Sequence, residues 1–346
     1  MSGNDSKKLK VEVPPKTIGT HSGTFHCDEV LACYMLSQHP DFQDHKILRT
    51  RNQDLLDQCD IVVDVGGVFD SNKKRFDHHQ STFNETFSSL RPELDKTEDI
   101  KLSSAGLIYV YYGETIIQEI LKKLNYSTLT ATELSIIFVK IYKGFIREID
   151  GIDNGVPQFE SEPRYSISTH LSNRVKNFNP DWTDTKTPEE IDELFNQAKA
   201  YVGEEFLDKI KYYGSKWLPA RKIVEEAVDN RFKLHLSGEI IELQRFCPWQ
   251  EHLRQIEKEI GGIEIKFVIC DGGSNDFRVQ CVPVKEGSFV CRKFLNKKWF
   301  GIRNEELEKV SGIDGTVFCH ATGFIGGNKT REGALKMAEK SLTDED

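Results

Sequence analysis

Ile61-Val62-Val63-Asp64-Val65-Gly66-Gly67 is an apolar run interrupted by one carboxylate and closed by two glycines. Such runs read as buried strands of a parallel sheet, apolar on both faces and turned at the carboxyl end. Upstream, Lys16–Thr20 and Lys46–Arg49 read as further extended stretches. Between them DEVLACYMLSQH (28–39) sets Val30, Leu31, Tyr34, Met35 and Leu36 at helical spacing behind Asp28 and Glu29, which suit a helix amino end. Downstream, residues 102–123 and 132–148 carry long apolar periodicity and predict two helices leading into an acidic loop, EIDGIDNG (148–155). The pattern predicts an α/β fold on a parallel sheet.

The texture changes further on. Pro188 to Val228 reads as helix, KWLPAR, helix; then FKLHL, EIIEL, IEIKFVIC and DFRVQCVPV are short β-rich runs between Gly and Asn turns. A last helix is expected over 330–342. We therefore expect a loose amino-terminal arm over residues 1–15, a parallel-sheet domain over 16–222, and a smaller α/β accessory domain over 223–346.

Composition narrows the function. Forty-six Lys and Arg against fifty-five Asp and Glu leave a net charge of −9, which argues against a surface that coats nucleic acid through bulk electrostatics. A nucleic-acid substrate would need a local basic channel or a metal. Eight cysteines without a C-x-x-C pair read as reduced, buried thiols of an intracellular protein. No apolar run reaches the roughly 18 residues of a membrane span. The start, MSGNDSKKLK, offers neither a secretory nor a strong mitochondrial signal, so nucleus or cytoplasm is expected.

Four segments put His and Asp at strand ends or in the loops beyond, where open α/β sheets bind ligands. They hold His21, His26 and Asp28; Asp64; Asp77, His78 and His79; and Asp150 and Asp153. Any one alone reads as a cap or turn former. Together, with four of ten histidines in two loops, they predict a site for divalent cations: imidazole and carboxylate without thiolate suits Mn²⁺, Mg²⁺, Zn²⁺ or Co²⁺. Of the two acidic-loop residues, Asp150 is favoured as the ligand because it directly follows the predicted helix and Ile149, but spacing leaves Asp153 open. Ser103 and Ser104 lack a G-x-S-x-G setting and read as a helix start; Cys27 reads as packing.

In the second half, HATGFIGGNKTREG joins His320, Gly323, Gly326 and Gly327 to Lys329 before the last helix. That composition can cradle phosphate or simply turn a chain. CRKFLNKKWFGIR (291–303) interleaves Arg292 and other cations with aromatics, as a backbone-tracking segment would, or a solvated loop with one buried Trp. Trp249 and His252 read as packing or capping residues. Arg174, soon after the acidic loop, is a further phosphate candidate.

RFDHHQ, with the upstream His-rich loop and the isolated Asp of VVDVGG, resembles the Asp-His-His (DHH) phosphoesterases, which include the RecJ nuclease and manganese inorganic pyrophosphatases. GTHSGTFHCDE, DIVVDVGG, DHHQ, KLSSAGLIY, IDGIDNG, CPWQEHL and HATGFIGG followed by TREGAL, spread over Ile18 to Met337, resemble more closely the melanocyte proliferating gene exonuclease family. The resemblance implies a DHH-type domain with a substrate-binding accessory domain. It implies a 3′-to-5′ exoribonuclease that releases nucleoside 5′-monophosphates in RNA processing, in nucleus and mitochondrion. It also implies two divalent cations, with Mn²⁺ leading. His21, His26 and Asp64 would hold one; Asp28, Asp64, His78 and the acidic-loop Asp the other. His79 would donate a proton or stabilise the transition state, and Asp77 would orient an imidazole. His26 stands where many DHH members have Asp, one negative charge fewer. Two cations about 3.5 to 4 Å apart acidify water and neutralise charge on the leaving oxygen. Competing expectations are a hydrolase of small phosphoesters such as dinucleotides or pyrophosphate, and a noncatalytic nucleotide- or RNA-binding module.

Overall fold

The computed structural model describes residues 14–273 and 275–344. The expected loose arm therefore lies outside the described residues except for Pro14 and Pro15. The chain forms two compact units that divide between Gly214 and Ser215, eight residues before the expected start of the accessory domain.

The first unit runs β1 (Lys16–Thr20), α1 (Cys27–Gln38), β2 (His45–Arg49), α2 (Gln53–Leu56), β3 (Ile61–Val63), β4 (Phe69–Asp70), β5 (Arg75–Phe76), α3 (Phe87–Leu90), α4 (Ser104–Lys123), α5 (Ala131–Ile141), α6 (Arg147–Asp153), α7 (Leu171–Lys176) and α8 (Pro188–Tyr212). Its sheet has the order β2-β1-β3-β5-β4, parallel except for the antiparallel edge β4. The apolar run Ile61–Val63 is fully buried, as its composition requires. The chain leaves β1 toward β2 and returns on the other side as β3. Loops at the carboxyl ends of β1 and β3 therefore part at a topological switch point, the usual ligand crevice of such sheets.

One expectation fails here. The 148–155 segment is helix as far as Asp153, because α5 continues through a π-helical turn, Tyr142–Ile146, into α6. Asp150 and Asp153 thus sit three residues apart on a helix, not in an open loop. α1 is buried along most of its length, and α8 can lie against it only because Gly203 has no side chain; a Cβ there would fall on the Tyr34 ring.

The second unit contains α9 (Leu218–Asp229), α10 (Arg231–Leu234), β6 (Ile240–Glu242), α11 (Gln250–Ile260), β7 (Phe267–Asp271), β8 (Phe277–Cys281), α12 (Asn304–Ser311), β9 (Thr316–Cys319), β10 (Ile325–Asn328) and α13 (Arg331–Thr343). Its sheet, β6-β7-β8-β10-β9, is parallel only between β6 and β7. Among the described residues no helix is long and apolar enough to cross a membrane.

Candidate metal centre

The first loop leaves β1 at Thr20 and enters α1 at Cys27. His21 is buried, with Nε2 2.9 Å from Glu29 Oε1 and 3.4 Å from Asp64 Oδ2. The His26 backbone N–H donates to both Glu29 carboxylate oxygens at 2.9 and 3.0 Å, closing the first turn of α1. The loop is clamped from outside. Asn179 accepts from the Phe25 N–H at 2.9 Å and donates to its carbonyl at 2.8 Å, while Arg49 donates to Gly23 O and pairs with Asp192.

Asp64, the residue after β3, adopts φ +58, a left-handed conformation that Asp and Asn tolerate better than most residues. It is buried beside His78, whose Nε2 lies 3.1 Å from Asp153 Oδ2, 3.4 Å from Asp64 Oδ1 and 3.7 Å from Asp28 Oδ2. Asp28 faces inward from the first turn of α1. The first N–H groups of α4 hold its carboxylate: Ser104 donates at 3.0 Å and Ala105 also donates. Asp77 accepts from Gly67 N–H at 2.6 Å and from His79 Nδ1 at 2.7 Å, and the His79 side chain is 63% exposed.

Among the described residues, ligand atoms gather into three overlapping groups, each within 4.8 Å: His21, His26, Glu29 and Asp64; Asp64, His78 and His79; and Asp28, His78 and Asp153. Burial, reinforced by the neighbouring Asp64 and Asp153, raises the Asp28 carboxyl well above its ordinary range. Burial also works against ionised Asp64, yet hydrogen bonds from His21 and His78 hold it well below that range. Buried carboxylates this close demand positive charge. His78 Nε2 lies 3.1 to 3.7 Å from three carboxylates, so it can be turned over to an ion shared with them. Imidazole and oxygen donors fit a divalent cation such as Mn²⁺, Mg²⁺, Zn²⁺ or Co²⁺.

Burial opposes charge on His21, but the Asp64 and Glu29 bonds raise it to about 10; His78 is raised likewise by Asp153 and Asp64. A raised imidazole contributes stability that is complete below its unfolded pKa of about 6.5 and is lost as pH rises through the folded value. Protein stripped of divalent ions should therefore show a melting temperature that falls from about pH 6.5 toward pH 10. Added Mn²⁺ should flatten that fall, because it takes the imidazoles in their neutral form. Thermal scans across this window with and without Mn²⁺ check it; a Tm independent of pH in stripped protein counts against the pairing.

The structure brings together His21, His26, Asp28, Asp64, His78, His79 and Asp153, with Asp77 behind His79. It does not bring Asp150 there. Asp150 is fully buried and its Oδ1 accepts from Ser103 at the start of α4, while Asp153 faces His78, so the geometry favours Asp153 over the expected Asp150. Glu29 is the residue the reading passed over. Its three-residue spacing from His26, a capping-box interval, was the available signal. Asn179 had none, being 154 residues from Phe25.

The substrate candidates fare differently. Arg174 is engaged by Glu205 and by Tyr201 of α8. Arg292 makes a two-toothed pair with Glu257 at 2.6 and 2.7 Å and donates to Ile265 O, all within the second unit. It is a packing ion pair, not a phosphate contact. With side chains only 12% and 9% exposed, Arg292→Ala should cost about 3 to 5 kcal/mol by leaving Glu257 unpaired. A KM measured for a phosphodiester substrate should not move; a KM effect without a Tm effect would restore the substrate role.

Gly326 and Gly327 lie in β10 between β8 and β9, so their backbone belongs to the sheet and not to a phosphate cradle. A Cβ on Gly326 would stand 2.8 Å from Leu295 and 2.9 Å from Met337 of α13. Gly323, at φ +70, packs under Phe300, while His320 and Lys329 are exposed. Trp299 is buried and offers no stacking face. Trp249 donates to Gln280 Oε1 and His252 contacts Trp217 O, both as packing groups.

Fold and site together define an α/β protein with a carboxylate and imidazole centre suited to divalent cations. The chain belongs to the MYG1 exonuclease family, whose model, described as "Uncharacterised protein family (UPF0160)", matches residues 17–342. It is 46% identical to human MYG1 exonuclease over 97% of this chain and 88% of that protein. It is 47% identical to the Dictyostelium discoideum MYG1 protein over 94% and 96%, and 40% identical to the Saccharomyces cerevisiae MYG1 protein over 98% and 99%. Among solved structures, RecJ in complex with Mn²⁺ from Thermus thermophilus is matched at a TM-score of 0.25 and 12% identity. That match spans 96% of this chain and 53% of RecJ.

Proposed function

We propose that this chain is a divalent-cation-dependent exoribonuclease that works from the RNA 3′ end and releases nucleoside 5′-monophosphates. The observation that carries the reading is the convergence of Asp28, Glu29, Asp64 and Asp153 with two buried imidazoles, His21 and His78, at the carboxyl ends of β1, β3 and β5. The family supports it: its human relative is named an exonuclease.

His21, His26, Glu29 and Asp64 would hold one cation, and Asp28, His78 and Asp153 another, with Asp64 near enough to both sets to be shared. Such cations supply Lewis acidity to a phosphoryl group and acidify water. The chain's own residues do the rest. The Asp77 carboxylate orients the His79 ring by accepting from Nδ1–H; when the ring is protonated on both nitrogens, its Nε2–H can pass a proton to the leaving oxygen and leave a neutral imidazole.

A 20-mer RNA labelled at its 5′ end, incubated with Mn²⁺, should shorten one nucleotide at a time from the 3′ end and yield 5′-monophosphates. Blocking the 3′ hydroxyl should slow it. The net charge of −9 favours one rival, a hydrolase of small phosphoesters, since small anions need no basic groove. Turnover of a dinucleotide beside an untouched 20-mer would decide for that rival.

A further inference from the structure

We propose that Asp150 is a positioning residue for Asp28, acting through the amino end of α4, and that it holds no cation itself; this rests on reading the cluster as a divalent-cation centre. Asp150 Oδ1 accepts from the Ser103 N–H at 3.0 Å and from its hydroxyl at 2.8 Å. Ser103 is the cap of α4, and its Oγ in turn accepts from the Gly106 N–H at 3.3 Å. The next two backbone N–H groups, of Ser104 and Ala105, are those that grip the two oxygens of Asp28. One carboxylate thus fixes the cap, the cap fixes the first turn, and the first turn aims the second carboxylate at His78.

The packing shows how closely this is built. Asp150, Ser103, Ser104 and Asp28 are all buried, and a Cβ on Gly106 would fall on Asp150 Oδ1, so the carboxylate reaches the cap only because residue 106 is glycine. Asp150 belongs to none of the three ligand groups, whereas Asp153, one helical turn on, faces the imidazole. The role requires a hydrogen-bond acceptor and not a charge. Burial raises the Asp150 carboxyl to about 7, so a neutral acceptor is near its condition at neutral pH.

An amide should therefore replace Asp150, whereas it could not replace a ligand. Mn²⁺ binding to the full chain, followed by the electron paramagnetic resonance signal of free Mn²⁺, tests this without reference to activity. Asp150→Asn should stay within about threefold of the parent affinity, and Asp150→Ala should weaken it about 10- to 100-fold. If the alanine variant does not fold, Ser103→Ala serves instead; it removes one of two donors and should weaken binding by about threefold or more. Asp150→Asn as weak as Asp150→Ala, or an alanine variant of parental affinity, overturns the positioning role while leaving the centre standing. A parent that binds no Mn²⁺ overturns both.

Discussion

Asp64→Asn is expected to lower phosphodiester hydrolysis by about 10³-fold or more while leaving the protein folded. Asp64, like His78, belongs to two of the ligand groups, with Oδ2 toward His21 and Oδ1 toward His78. Removing its charge weakens cation binding on both sides at once. Several kcal/mol of transition-state stabilisation are attributed to such cations, and each 1.36 kcal/mol is tenfold in rate, so a loss of about 4 kcal/mol gives the stated factor. Asparagine is the informative replacement because the site sits at φ +58, where Asn is at ease and Ala would add backbone strain. The measurement is kcat/KM on single-stranded RNA under saturating Mn²⁺, with circular dichroism as the check on folding. Parental turnover in Asp64→Asn would remove the centre from the mechanism.

The second large effect is expected at His79. Its Nδ1 is held by buried Asp77 while the ring stands open to solvent. So held, the ring when protonated on both nitrogens can give its Nε2 proton to the leaving oxygen, and loss of such a donor costs about 10² to 10⁴ in rate. His79→Ala should fall in this range at unchanged Mn²⁺ affinity. Asp77→Asn, which can no longer hold the tautomer, should fall part of the way and change the pH profile. His79 also lies 3.5 Å from Asp64 Oδ1, which would suit a ligand. A drop in Mn²⁺ affinity for His79→Ala would assign it to the cation and not to the leaving group.

The parallel sheet and the strand-end cluster were legible because buried strands must be apolar throughout and the site residues follow those strands directly. Ile61–Val63 with Asp64 after it is the plainest case. The acidic segment was misread because Gly151 and Asp153-Asn154-Gly155 look like a turn, while the π-helical turn that carries the helix onward leaves no mark in composition. The resulting choice between Asp150 and Asp153 depended on which side of one helix faces α4, a matter of packing. Arg292 misled for a different reason. Cations among aromatics resemble a nucleic-acid segment until the buried acid that pairs with Arg292, Glu257, is located 35 residues away. The glycines of β10 look like a phosphate loop because glycine says only that a Cβ is unwelcome. Here Leu295 and Met337 exclude it at Gly326, and the Phe318 ring, 2.9 Å from where that atom would be, excludes it at Gly327.

The central claim is that ions held by these converging side chains are needed for the bond to break. Exhaustive chelation followed by stepwise return of Mn²⁺ tests it in a single assay of labelled RNA. We expect cleavage to fall to background in the stripped protein and to return as Mn²⁺ is added. Undiminished cleavage after the ions are gone would contradict the account.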